Sequence, residues 1–495
     1  MVINFTNYST RGECLMKKIL FAASEVYPFI KTGGLADVTG SLPKYFDKKK
    51  YDVRVILPKY LAISSEYTKK MKPVTHFQMK LGWREQYVGL FEMEYEGITF
   101  YFVDNEYYFA GNSPYHNIYE DMEKFAYFSR AVLSVLPVID FRPDVIHCHD
   151  WQTGLIPVYL KDTFSRGEFY QKIKTVITIH NMKFQGRWNL QAVRDMTGLS
   201  FDYFTSDKLE SYGEANYLKG GIVYADMVTT VSESYAEEIK TPMGGEGLDG
   251  LMRQKGEKLL GIVNGIDYSE YNPETDKNIY HNYNSKNFRK EKIKNKIALQ
   301  EELGLKKDSK KFMIGIVSRL TGQKGFDLID YMIEEICAED VQLVVLGTGE
   351  EKYEHLFRHY EWKYRDRVSA SIFYSDERAH KIYAASDAFL MPSLFEPCGL
   401  SQLMSLRYGT VPIVRETGGL KDTIESYNEY EKTGNGFSFR NFNAHEMRDT
   451  ISYAKKIFFE KKADWNKIVE RGMQQDFSWE ASARKYEKLY EQLLM

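Results

Sequence analysis

The sequence predicts an α/β protein of two doubly wound Rossmann-like domains facing each other across a cleft, and three observations predict it. Short, β-branched, continuously apolar runs recur, each ending in Gly or polar residues and followed by a helical pattern. Lys18–Ala23, Asp144–His147, Lys174–Thr178 and Met227–Val231 do so in the first half, and Phe312–Val317, Val341–Leu346 and Ala388–Met391 in the second. Such runs alternating with helices indicate parallel sheets covered on both faces. A polar stretch, Tyr268–Lys296, rich in Asn, Tyr and Lys and without a clear core pattern, separates the two clusters. Lastly, Lys31-Thr32-Gly33-Gly34-Leu35-Ala36-Asp37 is echoed by Glu416-Thr417-Gly418-Gly419-Leu420-Lys421-Asp422. Each is a Gly-Gly turn into a helix start, where free backbone N–H groups can receive an anion. We therefore expect a first domain at 16–265 joined by a C-terminal helix at 478–495, and a second at 266–477. Residues 1–15 precede a second methionine, Met16, and carry no assigned function.

The 495 residues carry 66 Lys plus Arg against 69 Asp plus Glu, a balance that argues against binding nucleic acid through bulk positive charge. No uncharged apolar run has the length of a membrane helix or of a signal core, so the expected protein is cytoplasmic and not membrane-bound. Four cysteines, at 14, 148, 337 and 398, have no metal or disulfide spacing.

Four constellations carry chemistry. Lys31 before Gly33-Gly34 follows the strand KILFAASE; glycines let a phosphate approach the backbone, and the lysine adds a mobile charge. Taken alone it is equally an ordinary turn, and no GxxxxGK[ST] occurs, which removes the main support for P-loop hydrolysis. Ser318-Arg319-Leu320-Thr321-Gly322-Gln323-Lys324-Gly325 follows another strand and offers a rigid fork and a point charge, suited to a departing diphosphate. Two solvated surface bases are the plain alternative. Leu394-Phe395-Glu396-Pro397-Cys398-Gly399-Leu400 places a carboxylate at a strand end before a helix start, where it can hold sugar hydroxyls or sit near a developing oxocarbenium. Cys398 reads as a packed small residue. His147-Cys148-His149-Asp150-Trp151 and Thr178-Ile179-His180-Asn181 form the fourth group. HxHD could be read as a metal site, but no further ligand pattern follows; polar groups and an indole face for a sugar fit better.

KTGGLADV, HCHDWQTGL, ITIHN, NGID, SRLTGQKG, FEPCGLSQL and TGGLKDT, in this order over nearly the whole chain, resemble the bacterial glycogen synthase and starch synthase family. The resemblance implies a GT-B fold and a retaining glucosyltransferase. It would move glucose from ADP-glucose to the non-reducing 4-hydroxyl of an α-1,4-glucan, with no metal or other cofactor. By motif match it implies that Lys31 and Gly34 meet the donor phosphates, with Asp37 beside them, and that Arg319 and Lys324 neutralise the leaving ADP. Glu396 would orient the glucose, with donor contacts from the N–H groups of Cys398, Gly399 and Leu400. His180 would support the developing cation, Tyr374 would stack on the base, and Asp150, Trp151, Asn181 and Asn264 would line the glucose and acceptor side. Related transferases carry a second Glu eight residues after the first; here that position is Met404, as in the starch-synthase branch. A UDP-glucose-using enzyme on the same scaffold and a non-catalytic glucan-binding protein are the rival classes; all four of Lys31, Arg319, Lys324 and Glu396 are present, against the latter. Donor residues from both halves imply closure about a hinge near Gly265, with a second crossing at the helix Trp479–Leu494.

Overall fold

The computed structural model describes residues 16–111, 113–116, 118–337 and 340–495. They fold as two compact units. One holds the described residues up to Thr178 with Phe184–Met227 and Glu487–Met495; the other holds Ile179–Lys183 and Val228–Tyr486.

In the first unit β1 (Lys17–Ala22), β2 (Tyr51–Pro58), β3 (Lys72–Leu81), β4 (Arg84–Tyr95), β5 (Ile98–Asp104), β6 (Val145–His149) and β7 (Lys174–Ile179) lie in the order β7-β6-β1-β2-β5-β4-β3. Five of these are parallel, as apolar runs such as Ile19–Ala22, wholly buried, require. The expectation of purely parallel sheets is corrected at β3 and β4, which pair antiparallel with each other, β4 also with β5. Alternate side chains of β3 face solvent, which only an antiparallel edge tolerates. A small antiparallel sheet, β8 (Arg187–Asn189), β9 (Glu210–Ser211) and β10 (Glu214–Asn216), runs in the order β8-β10-β9.

In the second unit β11 (Met227–Thr230) and β12 (Leu259–Gly261) pair in parallel. β13 (Phe312–Val317), β14 (Val341–Leu346), β15 (Val368–Ser371), β16 (Ala388–Met391), β17 (Val411–Arg415) and β18 (Phe437–Phe439) form a parallel sheet in the order β15-β14-β13-β16-β17-β18. Alternation along the strands fills both faces. Ile314, Leu343 and Val345 enter a core with Ile329, Ile333 and Met447, while Met313, Val344 and Leu346 join Leu299 and Ile382 on the other face.

The units divide differently from the seam expected at 265/266, because the segment from Val228 is tied by its side chains to residues 397–422. The stretch Tyr268–Lys296 is also corrected, since it supplies core. Tyr283 is buried, and the helix Phe288–Glu302 buries Asn295, Lys296 and Gln300. Lys292 Nζ donates to Ala384 O (2.9 Å), Tyr408 O (3.0 Å) and Thr410 Oγ1 (2.8 Å), and Lys296 Nζ to Asp387 Oδ2 (2.5 Å). A core face made of amphipathic side chains gives no apolar period to read.

The same stretch is pinned at Asp276. Its Oδ2 meets His380 Nδ1 (2.7 Å) and accepts from Tyr408 Oη (2.5 Å), its Oδ1 accepts from Asn278 N (2.8 Å), and both members of the Asp276–His380 pair are 2% exposed. Burial alone would raise the pKa of this carboxyl, but the hydrogen bonds from His380, Tyr408 and Asn278 outweigh it and hold the pKa below the ordinary 3.8. A folded pKa below the unfolded one gives stability that is present above the unfolded value and is lost as pH falls through the folded one. Asp276→Asn should therefore cost about 3 kcal/mol at pH 7, the scale of breaking a buried pair. Urea titrations at pH 7 and pH 3 check this: the gap between the two proteins narrows at the lower pH.

Candidate functional site

In the second unit the chain passes from β13 to β14 on one side, and only later reaches β16 on the other. Strand order thus reverses between β13 and β16, and the carboxyl ends of such neighbours leave a crevice where open α/β sheets bind ligands. The crevice is a cavity of about 190 Å³ lined by Ser318, Arg319 and Lys324 after β13 and by Pro392, Ser393 and Ser401 beyond β16. Gly325 brings the two loops together: its φ is +82°, and a Cβ there would lie 2.0 Å from Pro392 O. The Arg319 side chain is exposed and makes no hydrogen bond or ion pair with a described residue. Lys324 Nζ donates to Glu396 Oε2 at 2.6 Å, and Ser393 Oγ donates to the same oxygen at 3.0 Å. The pair is largely withdrawn from water, 18% and 8% exposed.

The loop after Glu396 is held by backbone contact. Gly419 N donates to Glu396 O and Pro397 O, both at 3.2 Å, and a Cβ at Gly418 or Gly419 would lie 2.1 Å from Glu396 O or Cys398 O respectively. The N–H groups of Cys398, Gly399 and Leu400 carry no hydrogen bond to a described residue, so three adjacent donors stand beside a carboxylate. Cys398 is buried, and burial pushes its thiol up to about 12, which makes it a packed residue and not a nucleophile. Asn264 is buried with its Oδ1 unpartnered among the described residues, while its backbone meets the Cys398 thiol. Tyr374, 74% exposed, precedes the helix Asp376–Ala385 and donates to Asp376 Oδ1 at 2.7 Å. Asn181 caps a turn through Lys183 N (3.1 Å).

The first unit has its own reversal, between β1 and β6. Beyond β1 stand Glu25, Lys31 and the helix Gly34–Ser41; beyond β6 stand Asp150 and Trp151. Lys31 Nζ pairs with Asp37 Oδ1 at 2.8 Å. Asp150 has φ +56° and ψ −171°, a conformation costly for a residue with a Cβ, and is buried. Trp151 meets Phe125 edge-on (5.1 Å) and Trp188 (5.4 Å). His147 is a packing residue: Nδ1 meets Tyr490 Oη and Nε2 meets Thr178 Oγ1, both at 2.6 Å. Among the described residues no group of three or more His, Cys, Asp or Glu is arranged to hold a metal ion.

The reading of the Gly-Gly turns as open anion seats is corrected at the second turn but not at the first, where the helix-start N–H groups of Gly34 and Leu35 carry no hydrogen bond to a described residue. Glu25 Oε2 accepts from Thr32 N and from Gly33 N (3.3 Å), and Glu238 Oε1 accepts from Gly418 N (2.7 Å). Glu238 thus fills the second seat, whereas Glu25 binds the two N–H groups just before the first helix and leaves the helix start open. Sequence reasoning missed Glu25, Glu238 and Ser393; only Ser393, three residues before Glu396 at the same strand end, carried a usable signal.

Two Rossmann-like domains with cations and a carboxylate at a strand-order reversal define a glycosyltransferase of the GT-B class. Residues 18–254 match the family model of the starch synthase catalytic domain, and residues 300–471 that of glycosyl transferases group 1. The chain belongs to the glycogen synthase and starch synthase family. It is 70% identical over 478 residues to a glycogen synthase of Lachnospira eligens, covering 97% of this chain and 100% of that one, and 51% identical to one of Clostridium novyi, covering 96% and 99%. The catalytic domain of starch synthase IV from Arabidopsis thaliana, solved with ADP and acarbose, superposes with a TM-score of 0.88 at 32% identity, over 97% of this chain and 99% of that one. Sucrose-phosphate synthase from Thermosynechococcus elongatus shares the fold alone, with a TM-score of 0.60 at 16% identity over 96% of this chain and 99% of that one. No helix among the described residues is long and apolar enough to cross a membrane.

His180 completes the site residues. Its ring sits deep enough that burial pulls its pKa from 6.5 down to about 3, although part of the residue reaches the surface. It is therefore neutral in the folded state throughout the working range. Between about 6.5 and 3 only the unfolded chain takes up this proton, so acidification through that window favours unfolding. His180→Gln should flatten the acid-side decline of Tm between pH 7 and 4.5. Parallel slopes for the two proteins would show that the imidazole is not held neutral.

Proposed function

We propose that the protein transfers glucose from ADP-glucose to the non-reducing 4-hydroxyl of an α-1,4-glucan, with retention at the anomeric carbon and with no metal ion or other cofactor. The observation that carries this reading is the pairing of Arg319 and Lys324 at the β13–β16 reversal with Glu396 beside them. Breaking the glycosyl–phosphate bond puts negative charge on the diphosphate and positive charge on the anomeric carbon. The two cations of Arg319 and Lys324, both lining the cavity, stabilise the first, the task a metal performs elsewhere. The Glu396 carboxylate and the open N–H groups of Cys398, Gly399 and Leu400 suit the hydroxyls of the transferred sugar. Glu396 is already engaged by Lys324 and Ser393, which favours an orienting role over covalent attack. Same-face attack assisted by the leaving phosphate then accounts for retention. The exposed Tyr374 ring is available to a base, and Lys31, Gly34, Asp37, His180, Asp150, Trp151, Asn181 and Asn264 keep the donor and acceptor roles that the family resemblance implies.

Incorporation of labelled glucose from ADP-glucose into glycogen tests the proposal, with UDP-glucose as competitor; faster turnover of UDP-glucose would overturn the donor assignment. A chelator should leave the rate unchanged, and loss of activity restored by a divalent ion would remove the metal-free scheme. Lys324→Ala and Glu396→Ala should each lower kcat by about 10² to 10³, the scale of losing one preorganised donor, and lower the melting midpoint, since each leaves a largely buried charge unpaired, while the protein stays folded at the assay temperature. Near-normal turnover in either variant would show that its side chain does not act on the reacting groups.

A further inference from the structure

The short helix Glu233–Glu238 grips both backbone segments that flank Glu396. At its start, the buried Ser232 hydroxyl accepts from Tyr235 N (3.2 Å), capping the helix, and donates to Pro397 O (2.5 Å). At its end, the Glu238 carboxylate accepts from Gly418 N (2.7 Å) and from Thr417 Oγ1 (3.1 Å). Between the two, Ser234 donates to Asp422 through its N (2.8 Å) and its Oγ (2.5 Å). Gly418 and Gly419 in turn lie backbone against backbone on Glu396–Cys398, with no room for a Cβ on either. Pro397 is covalently next to Glu396, so what fixes its carbonyl fixes the main chain from which the carboxylate reaches Lys324 and Ser393.

We propose that Ser232 and Glu238 are positioning residues for Glu396. They touch neither reacting group. Ser232 holds the Pro397–Cys398 peptide, one residue beyond Glu396, and Glu238 holds the Gly418-Gly419 turn, whose Gly419 N binds Glu396 O and Pro397 O. With both in place the carboxylate stays on Lys324 and the N–H groups of Cys398–Leu400 stay open. The inference rests on the proposed role of Glu396 in orienting the transferred sugar.

Ser232→Ala and Glu238→Ala should each lower kcat at least about tenfold, since a misplacement near 1 Å can cost 10². KM for the glucan should hold within about twofold, because the residues act on geometry at the bond being broken. Ser232→Thr and Glu238→Gln retain the donor and the acceptor and should recover most of the rate. The deciding measurement repeats each alanine change in a Glu396→Ala background. A residue that acts by aiming Glu396 has nothing left to aim there, so the further loss should stay under about twofold. An equal fold-loss in both backgrounds, or unchanged kcat in Ser232→Ala, would overturn the inference. Should Glu238→Ala not fold, Ser232→Ala, which removes one hydroxyl, carries the comparison alone. Near-normal turnover of Glu396→Ala itself would instead overturn the functional reading, so the two failures are told apart.

Discussion

The ion pair between Lys324 and Glu396 is the constraint on which the second unit's site is built. Two charges largely withdrawn from water gain from each other only if geometry is close and other lone pairs are satisfied, as Ser393 does here. That requirement reaches into the backbone. The loops after β13 and β16 must lie within one side-chain length, which demands the bare Gly325 under Pro392; the far side of the Glu396 loop must be closed by backbone alone, at Gly418 and Gly419. Arg319, by contrast, is left unengaged among the described residues. Lys324 thus holds a carboxylate of the chain while lining the same cavity as Arg319.

Both Gly-Gly turns follow one local rule in two settings. A helix start leaves backbone N–H groups unsatisfied, and something negative can satisfy them. Glu238 does so in the second unit; in the first, Glu25 takes the two N–H groups just before the helix, and Gly34 N has no partner among the described residues. At Gly418 and Gly419 what approaches is the chain itself, whereas a Cβ at Gly33 or Gly34 would meet nothing within 4 Å. In the second unit that makes the turn a structural wall of the site.

Much of the architecture was legible in the sequence, for a physical reason. Strands buried on both faces need continuous apolar runs, and β1, β6, β7, β13, β14 and β16 show them plainly. Arg319, Lys324 and Glu396 stood out because each follows such a strand within a few residues, where a reversal of strand order puts ligands. The antiparallel β3 and β4 were less visible, being half-solvated. The helix Phe288–Glu302 was hidden, since it is anchored by Lys292, Asn295, Lys296 and Gln300, residue types that ordinarily mark solvent. Ser232 and Glu238 lie about 160 to 180 residues from the groups they bind, and no spacing rule reaches that far.

The anchoring of that helix bears on the order in which the chain acquires its structure. Lys292 finds its acceptors only at residues 383 to 410, about a hundred positions further along, and Lys296 finds its carboxylate partner only at Asp387. Until that segment has been synthesised, Lys292 has none of its native acceptors and Lys296 only the carbonyls of Ser309 and Lys311, and hydration is the better partner for an ammonium group. The helix has little apolar surface with which to dock early by non-specific collapse. It should therefore join the second unit late, after β16 and β17 have assembled beside β13, so that the segment linking the two clusters of strands is among the last to become fixed.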